Sequence, residues 1–429
     1  MNNHSGDAQV SKNKILVLSS IYPAPDFVDE STPVVHYFAR EWVKSGYDVR
    51  VVNFPANFPK LLMYGASLFK KTISSRYGSA VRTFQVGCKE YTIDGVRVKR
   101  IPLLKYRLHG RYSSREIEKA YNSVLSWLEQ EHFSPDFISS HWVNPQLEIM
   151  ERLKSHFHSI TCYIAHTPTV ELTNIYKKDD ICKLLSSIDL IGFRSEFIKR
   201  RFLDSFCYNG STFLCYSGVP EQYVPNSVVE RTFEGVHRFV FVGTLIKRKY
   251  PAEIIPALVK AFHDDSFEIN YVGRGAEEKK IIFNANRFRA SDKVHLLGRL
   301  SRGEVVSELR KSEVFIMNSR AEAFGLVYLE AMAQGCITIA SKNEGFDGII
   351  VDGVNGFLCE AGNIEDLSRA IGKIRSMAPE DLKTISHNAY LTAKKLTDKN
   401  VAQHYIKQFF QSDDFLSHSN GMANENAIK

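Results

Sequence analysis

Two glutamates eight residues apart, Glu322 and Glu330, frame the stretch Asn318-Ser-Arg-Ala-Glu-Ala-Phe-Gly-Leu-Val-Tyr-Leu-Glu-Ala-Met-Ala-Gln-Gly335. The apolar run at 314–317 reads as a buried strand, and a helix is expected from about 325 to 334. Gly335 suits the left-handed residue that ends a helix, and 336–340 reads as the next buried strand, which makes one βαβ unit. Glu330 is the only charge on a helix with almost no polar face, a costly position for a carboxylate unless something pairs with it. Its side chain points back along the helix towards the N-terminus. There the free N–H groups of Gly325, Leu326 and Val327 and the positive end of the dipole form a ready anion site. Glu322 sits in the loop just before that site, and Gly325 lets a ligand approach the backbone. A phosphate-binding helix end between two carboxylates suits a nucleotide sugar, whose hydroxyls the carboxylates can accept from.

Other chemistry-bearing residues fall at the ends of apolar runs. The runs at 135–142 and 160–166 carry His141 and His166 at their carboxyl ends, where a parallel sheet opens on its ligand crevice. The run at 238–242 leads into Gly243-Thr-Leu-Ile-Lys-Arg-Lys-Tyr-Pro251, three bases with a helix opening behind them at Pro251, a place suited to phosphate contact. The run at 269–272 ends in a Gly273-Arg-Gly275 turn.

The elements that must position these groups alternate strand and helix. Lys14 to Ser19 is a strand, a helix follows with Thr32 as N-cap and Pro33 at the first helical position, Gly46 closes it, and 48–54 is the second strand. That order begins a doubly wound parallel sheet, and Arg238 restarts the alternation for a second domain. The 429 residues, 44% of them hydrophobic, are ample for two cores. The N-terminus is polar, with no apolar core of signal-peptide length, and no window approaches eighteen apolar residues. Seven cysteines without a Cys-x-x-Cys pair argue for reduced thiols in a cytoplasmic setting. The net charge of +7 is concentrated between 56 and 115, a stretch suited to an anionic bilayer or an anionic acceptor. None of the usual nucleic-acid modules is present, so no nucleic-acid partner is expected.

The spacing Glu322-x7-Glu330 within its whole stretch closely resembles the motif of the large retaining glycosyltransferase family that includes sucrose synthases and many bacterial polysaccharide and glycolipid enzymes (glycosyltransferase family 4, glycosyl transferases group 1). The resemblance covers Lys14 to Gln411 and is strongest from Arg238 to Gly356. It implies the GT-B arrangement, two Rossmann-like domains facing across a cleft. The expected division is a tail at 1–13, an acceptor-side domain at 14–222, a linker at 223–237, a donor-binding domain at 238–397, a helix at 398–411 crossing back to the first domain, and a flexible tail at 412–429.

By the same resemblance Glu322 would hold the donor sugar hydroxyls, Lys249 the pyrophosphate, and His166 would lie beside the transferred sugar; these three form the expected catalytic group. Gly243, Thr244, Arg248, Gly273, Gly298, Arg299, Phe324, Gly325, Leu326, Val327 and Glu330 would complete the donor site, Glu330 on the ribose. Thr32 and His141 would face the acceptor. Thr244 stands where the family carries an arginine, with Lys247 or Arg248 as substitutes. The Asn usual before Gly218 is Ser217 here, and Ser31 and Thr32 occupy a loop where the family commonly has glycine. The implied reaction is transfer of a sugar from a nucleoside-diphosphate sugar to an acceptor hydroxyl with retention, without metal or bound cofactor, on a glycan or lipid-linked acceptor. Alternatives of the same shape are a sugar-nucleotide epimerase, a phosphorylase with lysine-bound pyridoxal phosphate, and a degenerate glycosyltransferase serving as scaffold or partner subunit.

Overall fold

The computed structural model describes residues 13–26, 33–60, 63, 84–107, 110–167, 169–263 and 266–425. Its first sheet is built on β1 (Lys14–Ser19), whose near-continuous apolar run is what a strand covered on both faces requires. Ile15 and Val17 enter one core and Leu16 and Leu18 the other, the two-residue period of a strand sorting alternate side chains to opposite faces. The sheet continues with β2 (Asp48–Asn53), β3 (Lys89–Ile93), β4 (Val96–Arg100), β5 (Phe137–His141), β6 (Ile160–Ala165), β7 (Leu190–Phe193) and β8 (Ser211–Leu214). Their order is β8-β7-β6-β5-β1-β2-β4-β3, parallel except for the β3–β4 hairpin at the edge.

The second sheet holds β9 (Arg238–Val242), β10 (Glu268–Val272), β11 (Val294–Gly298), β12 (Val314–Ile316), β13 (Ile337–Ser341) and β14 (Phe357–Cys359), in the order β11-β10-β9-β12-β13-β14 and all parallel. In each sheet the chain winds outward from a central strand in one direction and then returns to its other side. The switch lies between β1 and β5 in the first sheet and between β9 and β12 in the second. Loops leaving the carboxyl ends of strands at such a point diverge and open a crevice.

The helix α1 (Val34–Lys44) begins one residue later than the sequence suggests. Pro33 holds the cap position, its carbonyl accepting the first intrahelical bond from Tyr37 N at 3.1 Å. Thr32 lies outside the described residues. The last helix, α2 (Asp398–Glu425), packs on α1: Trp42 Nε1 donates to Ala402 O at 2.9 Å, and Tyr405 shares a 2.6 Å hydrogen bond with Ser139 of β5. Its first residue is tied to the same domain, since Arg40 pairs with Asp398. The helix runs on to Glu425 rather than ending at Gln411. The residues from 412 on are polar but contain no proline, and polarity alone does not stop a helix.

Much of the basic stretch 56–115, including residues 64–83, lies outside the described residues. In the part that is described, several charges are already paired: Arg97 with Glu131, Lys99 with Glu90, Arg100 with Asp26. No described helix is long and apolar enough to cross a membrane. All seven cysteines are free thiols.

Candidate active site

Between the two sheets lies a cleft of about 550 Å³, walled by the loops that leave β9 and β12 on one side and β6, β7 and β8 on the other. The loop after β9 is glycine-led for a geometric reason. Gly243 has φ 153°, and a Cβ there would stand 3.1 Å from Lys249 Nζ, which folds back over it. The bases at 247–249 form a 3₁₀ turn that Tyr250 closes in the left-handed conformation, and this turn aims Lys249 inwards while Arg248 stays half-exposed. Across the switch, Arg320 N donates to Arg248 O at 2.7 Å, so the two loops are bonded to each other.

Both bases converge on Glu322. Lys249 Nζ is 3.7 Å and Arg248 Nη1 3.3 Å from Glu322 Oε2. Burial pulls the Lys249 ammonium below its ordinary pKa, with Glu322 opposing that shift. Glu322 is held from behind, its N–H donating to Glu344 Oε2 at 3.2 Å.

Gly325, at φ 82°, caps the helix α3 (Leu326–Ala333) without any side-chain hydrogen bond to its first amides. Those amides face the cleft beside Lys249, and Phe324, Gly325, Leu326 and Val327 all line it. Tyr328, one turn in, donates to Met317 O at 2.6 Å and anchors the helix to the end of β12. Glu330 is 8% exposed, and its Oε1 makes no hydrogen bond among the described residues. Burial raises its carboxyl above the usual range, opposed by Arg302, whose Nη2 stands 3.6 Å away.

On the facing wall, His166 stacks on Trp142 with ring centroids 4.4 Å apart and planes 5° from parallel. Its Nε2 is 3.2 Å from His141 Nδ1. Burial, with Arg194 nearby, depresses His141 to about 3 and His166 well below its ordinary value, so both rings are neutral at neutral pH.

The cleft thus brings together His166, Gly243, Thr244, Lys249, Glu322, Phe324, Gly325, Leu326, Val327 and Glu330. His141 stands wholly buried behind His166, a partner of that ring rather than part of the wall. Gly273 lies beneath the first loop; a Cβ on it would meet Gly243 O at 2.0 Å, and its N–H donates to Gly298 O at 2.7 Å. Arg299 is exposed on the loop after β11 and does not line the cleft.

Trp142, Arg194 and Arg302 also line the cleft and are not among the expected site residues. Trp142 and Arg194 stand one place past the ends of β5 and β7, the rule that singles out the histidines. Arg302 opens a helix at Arg302–Lys311 whose Ser301 and Glu304 form a capping box, a signal visible in the sequence. Among the described residues no group of three or more His, Cys, Asp and Glu side chains gathers as a metal site.

Two parallel α/β domains with a cleft between the carboxyl ends of their strands define a GT-B protein, and solved structures of that class superpose along nearly the whole chain. Sucrose-phosphate synthase from Thermosynechococcus elongatus does so with a TM-score of 0.67 at 15% identity, covering 93% of this chain and 99% of that one. An Anabaena protein, HepE, solved in complex with UDP and glucose, gives 0.63 at 16% identity, covering 93% and 100%. The family model of glycosyl transferases group 1 matches residues 226–392. An uncharacterized glycosyltransferase of Methanocaldococcus jannaschii is 31% identical over 268 residues, 61% of this chain and 71% of that protein. An alpha-monoglucosyldiacylglycerol synthase of Acholeplasma laidlawii is 28% identical over 158 residues, 36% of this chain and 38% of its own. The chain belongs to the glycosyltransferases, and its residues 226–392 are those that match the group 1 model.

Proposed function

We propose that the protein transfers a sugar, with retention of anomeric configuration, from a nucleoside-diphosphate sugar to an acceptor hydroxyl. The observation that carries the reading is the convergence of Lys249, Glu322 and the uncapped amides of α3 at the switch point of the second sheet, opposite His166. The hard step is departure of the diphosphate, and fixed cationic and N–H donors stabilise the charge that develops on it without reorganising. The glycosidic C–O bond to the diphosphate breaks, the acceptor oxygen bonds to the same face of the sugar, and its proton passes to a leaving-phosphate oxygen. Glu322 holds donor hydroxyls and Glu330 the ribose, so neither is required as a nucleophile. The residues of the cleft perform this step with no metal or bound cofactor assigned a part.

The similarity to a relative named alpha-monoglucosyldiacylglycerol synthase supports a lipid-linked or glycan acceptor, and the basic stretch 56–115 suits peripheral contact with an anionic membrane on the cytoplasmic side. Failure to bind anionic liposomes at low salt would remove the membrane part.

The donor site is tested by thermal shift against UDP-, GDP-, ADP- and dTDP-sugars, with and without magnesium, on the wild type and on Glu330→Ala. A ligand of the native state raises the melting temperature by mass action. One nucleotide-dependent rise, independent of magnesium and weakened in the variant, is the expected result, and it names the base. NMR of the product anomer then tests retention. No rise at millimolar concentration overturns the donor site and leaves a scaffold role; conversion of donor without acceptor would make the protein an epimerase.

A further inference from the structure

Three cations line the cleft among the described residues, Lys249, Arg302 and Arg194, and Arg194 alone of them has no carboxylate partner. Arg194 follows β7 and is 3% exposed. Its Nη1 donates to Cys215 O at 2.9 Å and its Nη2 to Ser217 Oγ, and its guanidinium lies 5.6 Å from the centre of the Phe324 ring. All of these partners are uncharged. Lys249 has Glu322 and Arg302 has Glu330, but no described carboxylate pairs with Arg194.

A guanidinium buried without a counter-charge is costly, and folding has little to gain from it here. Clasping Cys215 O and Ser217 Oγ needs two N–H donors, which a neutral amide supplies. A full positive charge at the wall of a ligand cleft is explained by an anion that arrives with the ligand. Burial also pulls this guanidinium below its ordinary pKa, opposed by the Cys215 thiol and the Tyr405 hydroxyl and by no carboxylate.

The position narrows what the anion is. The diphosphate belongs at Lys249 and the amino end of α3, on the second domain. A sugar attached to it projects across the cleft towards His166, Ser217 and Arg194 on the first. We propose that a substrate sugar in this cleft carries a carboxylate, as a uronic acid does, and that Arg194, with Ser217 Oγ beside it, is the group that selects it. The carboxylate belongs either to the transferred sugar or to the acceptor sugar that meets it there. This inference rests on the proposed donor site.

The test is calorimetry on matched pairs. UDP, UDP-glucose and UDP-glucuronate, with the GDP, GDP-mannose and GDP-mannuronate set, are titrated into the wild type, Arg194→Gln and Arg194→Lys. The uronate donor of the bound base is expected to bind about tenfold more tightly than its neutral partner or better, the worth of a hydrogen bond to a charged group. That preference should vanish in Arg194→Gln and survive in part in Arg194→Lys, while the nucleoside diphosphate alone binds all three alike.

If the donors show no such preference, transfer to p-nitrophenyl glucuronide is compared with transfer to the glucoside. A preference there that Arg194→Gln abolishes assigns the carboxylate to the acceptor. Equal use of neutral and acidic sugars in both arms by a wild type that binds the nucleoside diphosphate overturns the inference and leaves Arg194 a loop clasp. The wild-type comparison stands even if a variant fails to fold. A wild type that binds none of UDP, GDP, ADP and dTDP overturns the donor site as well as the inference.

Discussion

Arg302 of the second domain reaches Tyr37 on α1 of the first: its Nη1 donates to the tyrosine oxygen at 2.5 Å, while its Nη2 stands 3.6 Å from Glu330. One guanidinium therefore couples the spacing of the domains to the buried carboxylate of the cleft. Arg302→Ala is expected to leave Glu330 as a buried carboxylate without its cation. Melting should fall by the equivalent of about 1–2 kcal/mol, the cost of an abandoned buried polar group, and nucleotide affinity should fall with it. Calorimetry and thermal melting check both. Unchanged affinity together with unchanged melting would make the contact incidental.

Lys249 carries a different load. Removing its charge in Lys249→Met should cost kcat about 10²–10³-fold, the scale of losing one preorganised donor to a developing oxyanion. Melting should not fall, because a buried ammonium drawn below its ordinary pKa gives way to an apolar chain of similar length. Steady-state kinetics beside a melting curve separates the two effects; a loss of stability that accounts for the loss of activity would contradict the role.

Gly345 supports Glu322 from outside the cleft. A Cβ there would lie 2.3 Å from Glu322 O and 2.5 Å from Ala323 C, both backbone atoms that no rotamer change can move aside. Gly345→Ala should therefore displace the Glu322 loop, lowering kcat at least about tenfold and destabilising the fold by about 1–3 kcal/mol. Activity near that of the wild type would mean that the loop accommodates the methyl group.

The pH dependence of stability should carry a contribution from Glu171. Burial lifts its carboxyl to about 7, with Lys105 opposing, and Oε2 has no hydrogen-bond partner among the described residues. The folded state then binds more protons than the unfolded chain between the ordinary carboxylate pKa and about 7. This contribution is full below the ordinary value and is lost as pH rises through about 7. Glu171→Gln should raise the melting temperature above pH 7 and flatten its decline between pH 5 and 8. Parallel curves for variant and wild type would show that Glu171 titrates normally.

The local features were legible in the sequence because they have local causes. The apolar run of β1 marks a strand buried on both faces, and Gly335 ends its helix at φ 74° as its position implies. The stretch from Asn318 to Gly335 follows β12 and forms a loop, a helix and the turn that ends it, with Glu330 buried on the helix. Each of these depends on residues within a turn or two of the chain.

What the tertiary structure decided is who meets whom. Lys249 and Glu322 are 73 residues apart, and they meet because β9 and β12 are neighbours in a sheet whose order differs from the order of the chain. Tyr37 meets Arg302, and Arg194 lies over Phe324, only because two domains close on each other. His141 and His166 look equivalent at the ends of adjacent strands, yet one is sealed behind the other, a matter of packing depth. Periodicity and turn residues act over a few ångströms of chain. Strand order and the contacts between domains follow from burying both cores at once, which no local pattern records.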